Sequence, residues 1–363
     1  MRRTNIYLLL SLLLSPPLFG QANSASAADD SEWRMPRTEY GQPDLQGTWF
    51  FGSRTPMQRP ASLGMKKTYT SDEAAQLEAA MQNRLTEWDR PLDAARGAPE
   101  QGATIRQEAD DAFLGHYLEP ILVAVDGEFR TSVIYDPADG RLPLREGFED
   151  FHARRRASGL QDADGPEGQT LSGRCLMFGG VLPSLTPVMM NPNMQIVQTE
   201  DYVVILSEMI HDARIVRIGK EHIESGGPRW MGDSIGYWEG DTLVVHSKGF
   251  REEQSNPMFI MHSGELEIEE RYTLRSDNQI HYAFTATDPV AFTQTVSGER
   301  IITRNSPAEK VYEYGCHEGN HSLVGILRGA RRLEMEPDFV EPSMPQHGDD
   351  FQHHHSTLGD PAH

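Results

Sequence analysis

Three stretches of this 363-residue chain set ionisable and aromatic side chains among apolar ones. The densest runs Tyr312-Glu313-Tyr314-Gly315-Cys316-His317-Glu318-Gly319-Asn320-His321. Imidazoles exchange protons near neutral pH, and a neighbouring carboxylate can orient them. In a catalytic reading His317 is a base, Glu318 its orienting carboxylate and Tyr314 an acid, with His321 on the ligand. The other reading is a strand end whose polar groups satisfy one another. The second stretch is Glu208-Met209-Ile210-His211-Asp212-Ala213-Arg214. In a strand, Asp212 and Arg214 share one face and His211 takes the other. His211 is then the alternative base, Asp212 its partner and Arg214 an anion clamp. A plain Asp212–Arg214 ion pair fits the same spacing. The third stretch holds Trp230 and Trp238. With Trp49 they are large amphipathic rings suited to a ligand cavity or to the core.

Metal chemistry is a weaker reading. His211, His317, His321 and Glu318 make a mixed nitrogen and oxygen set of the kind zinc accepts. Residues 317 and 321 share a face only in a helix, and Gly319 lies between them. We expect no cofactor, with a divalent metal as the alternative. His353-His354-His355 binds such ions weakly in any preparation. The two cysteines, Cys175 and Cys316, are read as one disulfide closing a loop of about 140 residues. A metal site and two buried thiols are the alternatives.

The elements that position these groups follow from periodicity. Thr70 and Glu73 form a T-x-x-E capping box, and Ala74, Leu77 and Met81 continue a helical stripe to about residue 89. Residues 91–118 and 136–172 read as long loops. ILVAV and TSVIY flank Asp126-Gly127-Glu128 as a hairpin. From Gln195 the chain becomes short strands joined by turns, and VYEYGCHEG closes the series. We read about nine strands as a mainly β fold, an antiparallel barrel or curled sheet with an added N-terminal helix and long loops. Residues 322–332 suggest a short helix.

Arg2 and Arg3, the apolar run from Tyr7 to Leu14, and Ala25-Ser26-Ala27 have the form of a cleavable export signal over residues 1–27. That run is too short for a membrane anchor. One barrel-like domain is expected over 28–333, with the helix and loops inserted at about 70–170, and a disordered acidic, His-bearing tail over 334–363. A net charge of −21 argues against nucleic acid as a partner.

PDLQGTW, QIVQTEDYVVILSEMIHDARIV, RWMGDSIGYWEGDTLVV and YEYGCHEGNHSLVGILRGAR resemble a large family of exported bacterial proteins, most known only as hypothetical proteins. Members of that family often carry a His where this chain has Glu267. Gly47-Thr48-Trp49 is also similar to the opening strand of lipocalin-like barrels. The resemblance implies export and a barrel, and supplies no reaction. Two functions follow as expectations for a periplasmic or secreted protein with a small-molecule ligand or substrate. One is a cofactor-independent lyase, isomerase or hydrolase acting on a partly apolar or aromatic molecule. The other is a binding or transport protein for an apolar ligand.

Overall fold

Period-two burial organises the C-terminal half of the chain. Strands β6 (Asn193–Gln198), β7 (Tyr202–Ser207), β11 (Glu267–Ser276) and β12 (Gln279–Thr287) each bury every second side chain. Such strands need a closed interior, because only one face is apolar. With β1 (Gly47–Phe50), β8 (Ala213–Ile218), β9 (Asp233–Glu239), β10 (Thr242–Lys248) and β13 (Val296–Arg304) they form a barrel, in the order β1-β6-β7-β8-β9-β10-β11-β12-β13. Pairing of β13 with β1 closes it. The computed structural model describes residues 33–88, 122–148, 150, 157, 159, 163–177, 182, 184–185, 191–256 and 260–335. The expected export signal, all of the 91–118 loop and the tail beyond 335 lie outside these residues. Met35–His363 form one unit, and of the preceding unit, Met1–Arg34, only Trp33 and Arg34 are described.

The barrel is mainly β, with two differences from the sequence reading. Strands β8 and β9 pair in parallel, through Val216 with Ser234 and Ile218 with Gly236. A parallel pair needs a crossover, and residues 219–232 supply it. Asp233 pins this connection. Its carboxylate accepts from Arg217 at 2.8 Å, Arg229 at 3.2 Å, the Ile223 amide at 3.0 Å and His222 Nδ1 at 2.8 Å. Burial raises the Asp233 carboxyl, but Ile223, His222 and Arg217 outweigh burial and hold it below its ordinary range. The second difference is at VYEYGCHEG, which forms no strand. It runs as an irregular strap ending in a turn, tied to Glu208 by the Tyr312 amide at 3.3 Å and to Cys175 by a disulfide from Cys316.

At the β1–β13 closure Trp49 is fully buried under the Arg304 guanidinium at 4.0 Å from the ring centre. Trp49 donates to the Leu45 carbonyl at 2.9 Å, and Arg304 to those of Gln46 at 2.8 Å and Asp277 at 2.6 Å. Gly47 is required here, because φ is +135° and a Cβ would lie 2.3 Å from Arg304 Nη1.

Outside the barrel, β5 (Ile134–Asp136) pairs with β13. A small sheet joins β2 (Thr68–Tyr69), β4 (Glu128–Arg130) and β3 (Ala124–Val125). Asp126-Gly127 turns the β3–β4 hairpin, whose second strand is Glu128–Arg130 rather than TSVIY. Helix α1 (Ser71–Trp88) starts at the capping box, with Thr70 N donating to Glu73 at 2.8 Å and Glu73 N to Thr70 Oγ1 at 3.2 Å. Helix α2 (His321–Met335) follows Asn320, whose side-chain oxygen accepts from the Leu323 amide at 3.3 Å.

Candidate functional site

The barrel interior carries charge. Strand alternation turns Arg214, Glu270 and Arg300 inward, and each is at most 2% exposed. Arg214 Nη2 pairs with Glu270 Oε2 and donates to Ser247 Oγ at 2.7 Å, while Nε donates to Ser234 Oγ at 3.0 Å. Tyr272 and Tyr282 donate to Glu270 Oε1 at 2.9 and 3.0 Å. Tyr272 also reaches Ser184, on a stretch of chain whose Leu182 and Leu185 are buried in the core. Burial lowers the Arg214 guanidinium, yet the Glu270 carboxylate more than offsets this and holds it above its usual value. Burial, followed by the same carboxylate, pushes both phenols well above their usual range, so they act as donors.

The third charge is different. Arg300 is fully buried, and its Nε, Nη1 and Nη2 have no hydrogen-bond partner among the described residues. Arg214 Nη1 and the Trp238 indole N–H are buried donors in the same condition. Buried polar groups are overwhelmingly paired, and an unpaired buried cation is the costliest exception.

The Glu208–Arg214 and Tyr312–His321 stretches touch at Glu208, just past Ser207 at the end of β7. There the Glu208 carboxylate is buried at 2% exposure and accepts from Asn191 at 2.6 Å, Asn193 at 3.1 Å and the Tyr312 amide at 3.3 Å. His211 departs from the expected strand. It is exposed and sits in a 3-10 turn where Ile210 and His211 have φ of +59° and +49°. A β-branched residue in the left-handed region is strained, and such strain collects at functional turns. Asp212 is in phase with Arg214 but makes no ion pair with it, since Arg214 is held by Glu270.

Burial pushes the Asp212 carboxyl up to about 6, against a smaller opposing effect of His211. The folded protein thus keeps this proton where the unfolded chain, with its ordinary value of 3.8, has lost it. Stability from the neutral carboxyl is full below that value and is lost as pH rises through about 6. Asp212→Asn is therefore expected to gain about 1–2 kcal/mol near pH 7.5, discounted for partial exposure, and nothing near pH 4. Urea unfolding at both pH values reads this, and an equal gain at both would refute it.

His317 and Glu318 are exposed on the disulfide-tethered turn, and no hydrogen bond joins them to His211 or Asp212 among the described residues. An open depression of about 190 Å3 beside the bridge is lined by Ser172, Asn320 and Leu323, and not by either of them. Tyr314 is half-buried against the core, and His321 is exposed at the start of α2. Among the described residues no group of three or more His, Cys, Asp or Glu is placed to hold a metal ion. Trp49 is packed under Arg304 at the β1–β13 closure. Trp230 is 38% exposed with Arg251 at 4.2 Å over its ring, and Trp238 faces the interior.

Sequence reasoning missed Glu270, Arg300 and a proton-sharing chain outside the barrel. In that chain His222 Nε2 lies 2.8 Å from His246 Nδ1, and His222 Nδ1 faces Asp233. No spacing announces the histidine pair, because a crossover and a strand bring it together. Its geometry suits bracing of the crossover, since His222 presents no free nitrogen. The chain matches no protein-family model, and none of the curated proteins matches it.

Proposed function

We propose that this protein is exported and binds a small molecule inside the barrel without transforming it. The observation that carries the reading is the fully buried Arg300 guanidinium, which finds no acceptor among the described residues. A ligand acceptor would satisfy it, and the unpaired Trp238 indole N–H adds a second donor. The mixed polar and aromatic inner wall suits a molecule with an apolar body and a polar end. Export is supported by the signal-like N-terminus and the Cys175–Cys316 bridge, which belongs to an oxidising compartment. No described helix is long and apolar enough to cross a membrane.

Native mass spectrometry of the protein taken from its own compartment tests the reading. We expect an organic mass that survives gentle desalting and leaves on denaturation. A chain that stays bare after incubation with extracts of its host would contradict it.

The strained His211 turn and the raised Asp212 carboxyl favour a second reading, an enzyme with Asp212 as its proton-transfer group. Turnover of a host metabolite that Asp212→Asn abolishes while binding persists would establish it. Equal turnover by the variant would remove Asp212 from that role.

A further inference from the structure

We infer that the ligand of the barrel is a small monocarboxylate with an apolar body, gripped by the Arg300 guanidinium. The inference rests on the reading of the interior as a ligand site and adds the chemical class.

Three observations converge on it. The first is the geometry of the empty donors. All three guanidinium nitrogens of Arg300 lack partners among the described residues, which leaves its planar fork open. A carboxylate matches that fork with two parallel hydrogen bonds.

The second is charge. Among the described charges on the inward faces of β8, β11 and β13, Arg214 and Glu270 neutralise each other and Arg300 remains uncompensated. The buried Glu208 carboxylate, beyond the end of β7, is held by Asn191, Asn193 and the Tyr312 amide and makes no ion pair with Arg300. One negative charge restores neutrality, whereas a dianion such as phosphate would overshoot and leave a buried negative charge. Burial lowers the Arg300 guanidinium only to about 10, so it stays protonated at neutral pH. The neighbouring acids offer no relief. Glu270 is taken by Arg214 and two phenols, and Tyr282, opposite Arg300 in the β12–β13 ladder, already donates to Glu270.

The third is the wall beside Arg300. Its inward neighbours on β13 are Gly298 and Ile302, and the Phe284 ring covers Gly298 so closely that a Cβ there would meet it at 2.4 Å. A ring and aliphatic side chains flanking a cation favour a ligand whose charge is confined to one end.

The test uses the full mature protein, freed of bound small molecules by unfolding and refolding, and isothermal titration. The probes are acetate, hexanoate and benzoate, each with its neutral amide. At least one carboxylate is expected to bind, with its amide at least about tenfold weaker, as expected when a charge-assisted bidentate pair is lost. Arg300→Met is expected to abolish the carboxylate's advantage, and Arg300→Lys to restore part of it. Arg251→Met, a change at an exposed arginine, should bind as the parent does. Near-ultraviolet circular dichroism confirms that each variant keeps its packing.

If carboxylates and amides bind alike and Arg300→Met changes neither, the carboxylate inference falls while the interior site stands. If no member of either series binds, both readings fall. If the carboxylates bind equally well to Arg300→Met, the anion site lies elsewhere and the inference is overturned.

Discussion

Glu270→Ala is expected to remove about 3–5 kcal/mol of folding stability, a large part of the roughly 5–15 kcal/mol that a domain holds. The carboxylate is fully buried and accepts from Arg214, Tyr272 and Tyr282 together. Its loss leaves a second unneutralised guanidinium in the barrel and takes the acceptor of the Tyr282 hydroxyl. Nothing nearby replaces it, because Ser234 and Ser247 are hydroxyls already bonded to each other at 2.8 Å. The matching experiment removes both charges. Arg214→Met with Glu270→Met should recover most of the loss, since an apolar pair of similar volume often equals a buried ion pair. Urea denaturation of the single and double variants reads the difference. A Glu270→Ala midpoint within error of the parent would show that the interior charges are solvated.

Breaking the Cys175–Cys316 bridge is the other large effect. The two cysteines are 141 residues apart, and closing such a loop restricts the unfolded chain by about 5 kcal/mol at most in the chain-entropy account. The folded side adds a consequence. The bridge anchors the strap that carries the Tyr312 amide to the buried Glu208 carboxylate. Cys175→Ser, Cys316→Ser and the double variant are therefore expected to lose stability by the same amount, because each opens one bond. They should also speed hydrogen exchange at the Tyr312 amide. Two reactive thiols in the native protein, or unchanged stability on reduction, would contradict this.

Much of the barrel was legible in the sequence because alternation with turn residues has few solutions. IEERYTL and QIHYAFTA alternate so regularly that their inward face follows once a core is assumed. Trp49 was legible as a residue but not in its partner, since Arg304 lies 255 positions away. The parallel β8–β9 pair was hidden, because turn signals mark where a chain bends and not which neighbour it returns to. The strap over Glu208 read as a strand because Tyr and Val favour extended backbone wherever it runs.

The site was the harder part. Dense polar motifs drew attention to His317 and Glu318, which are exposed, while Glu270 and Arg300 sit singly in apolar alternation and resemble solvated positions. Their inward phase was present in IxExY and GxRxI, but charged residues default to the surface in any reading by type. Burial, which the sequence does not state, makes them unusual. Arg214 was read as an anion clamp or as the ion-pair partner of Asp212, and the carboxylate that binds it is Glu270, 56 residues on.

A crystal structure of the protein purified without denaturation tests the central claim most directly. The account predicts electron density in the barrel that belongs to no part of the chain, with an acceptor atom at hydrogen-bonding distance from the Arg300 guanidinium. Arg300 bonded instead to acceptors of its own chain, with side chains filling the interior, would contradict it.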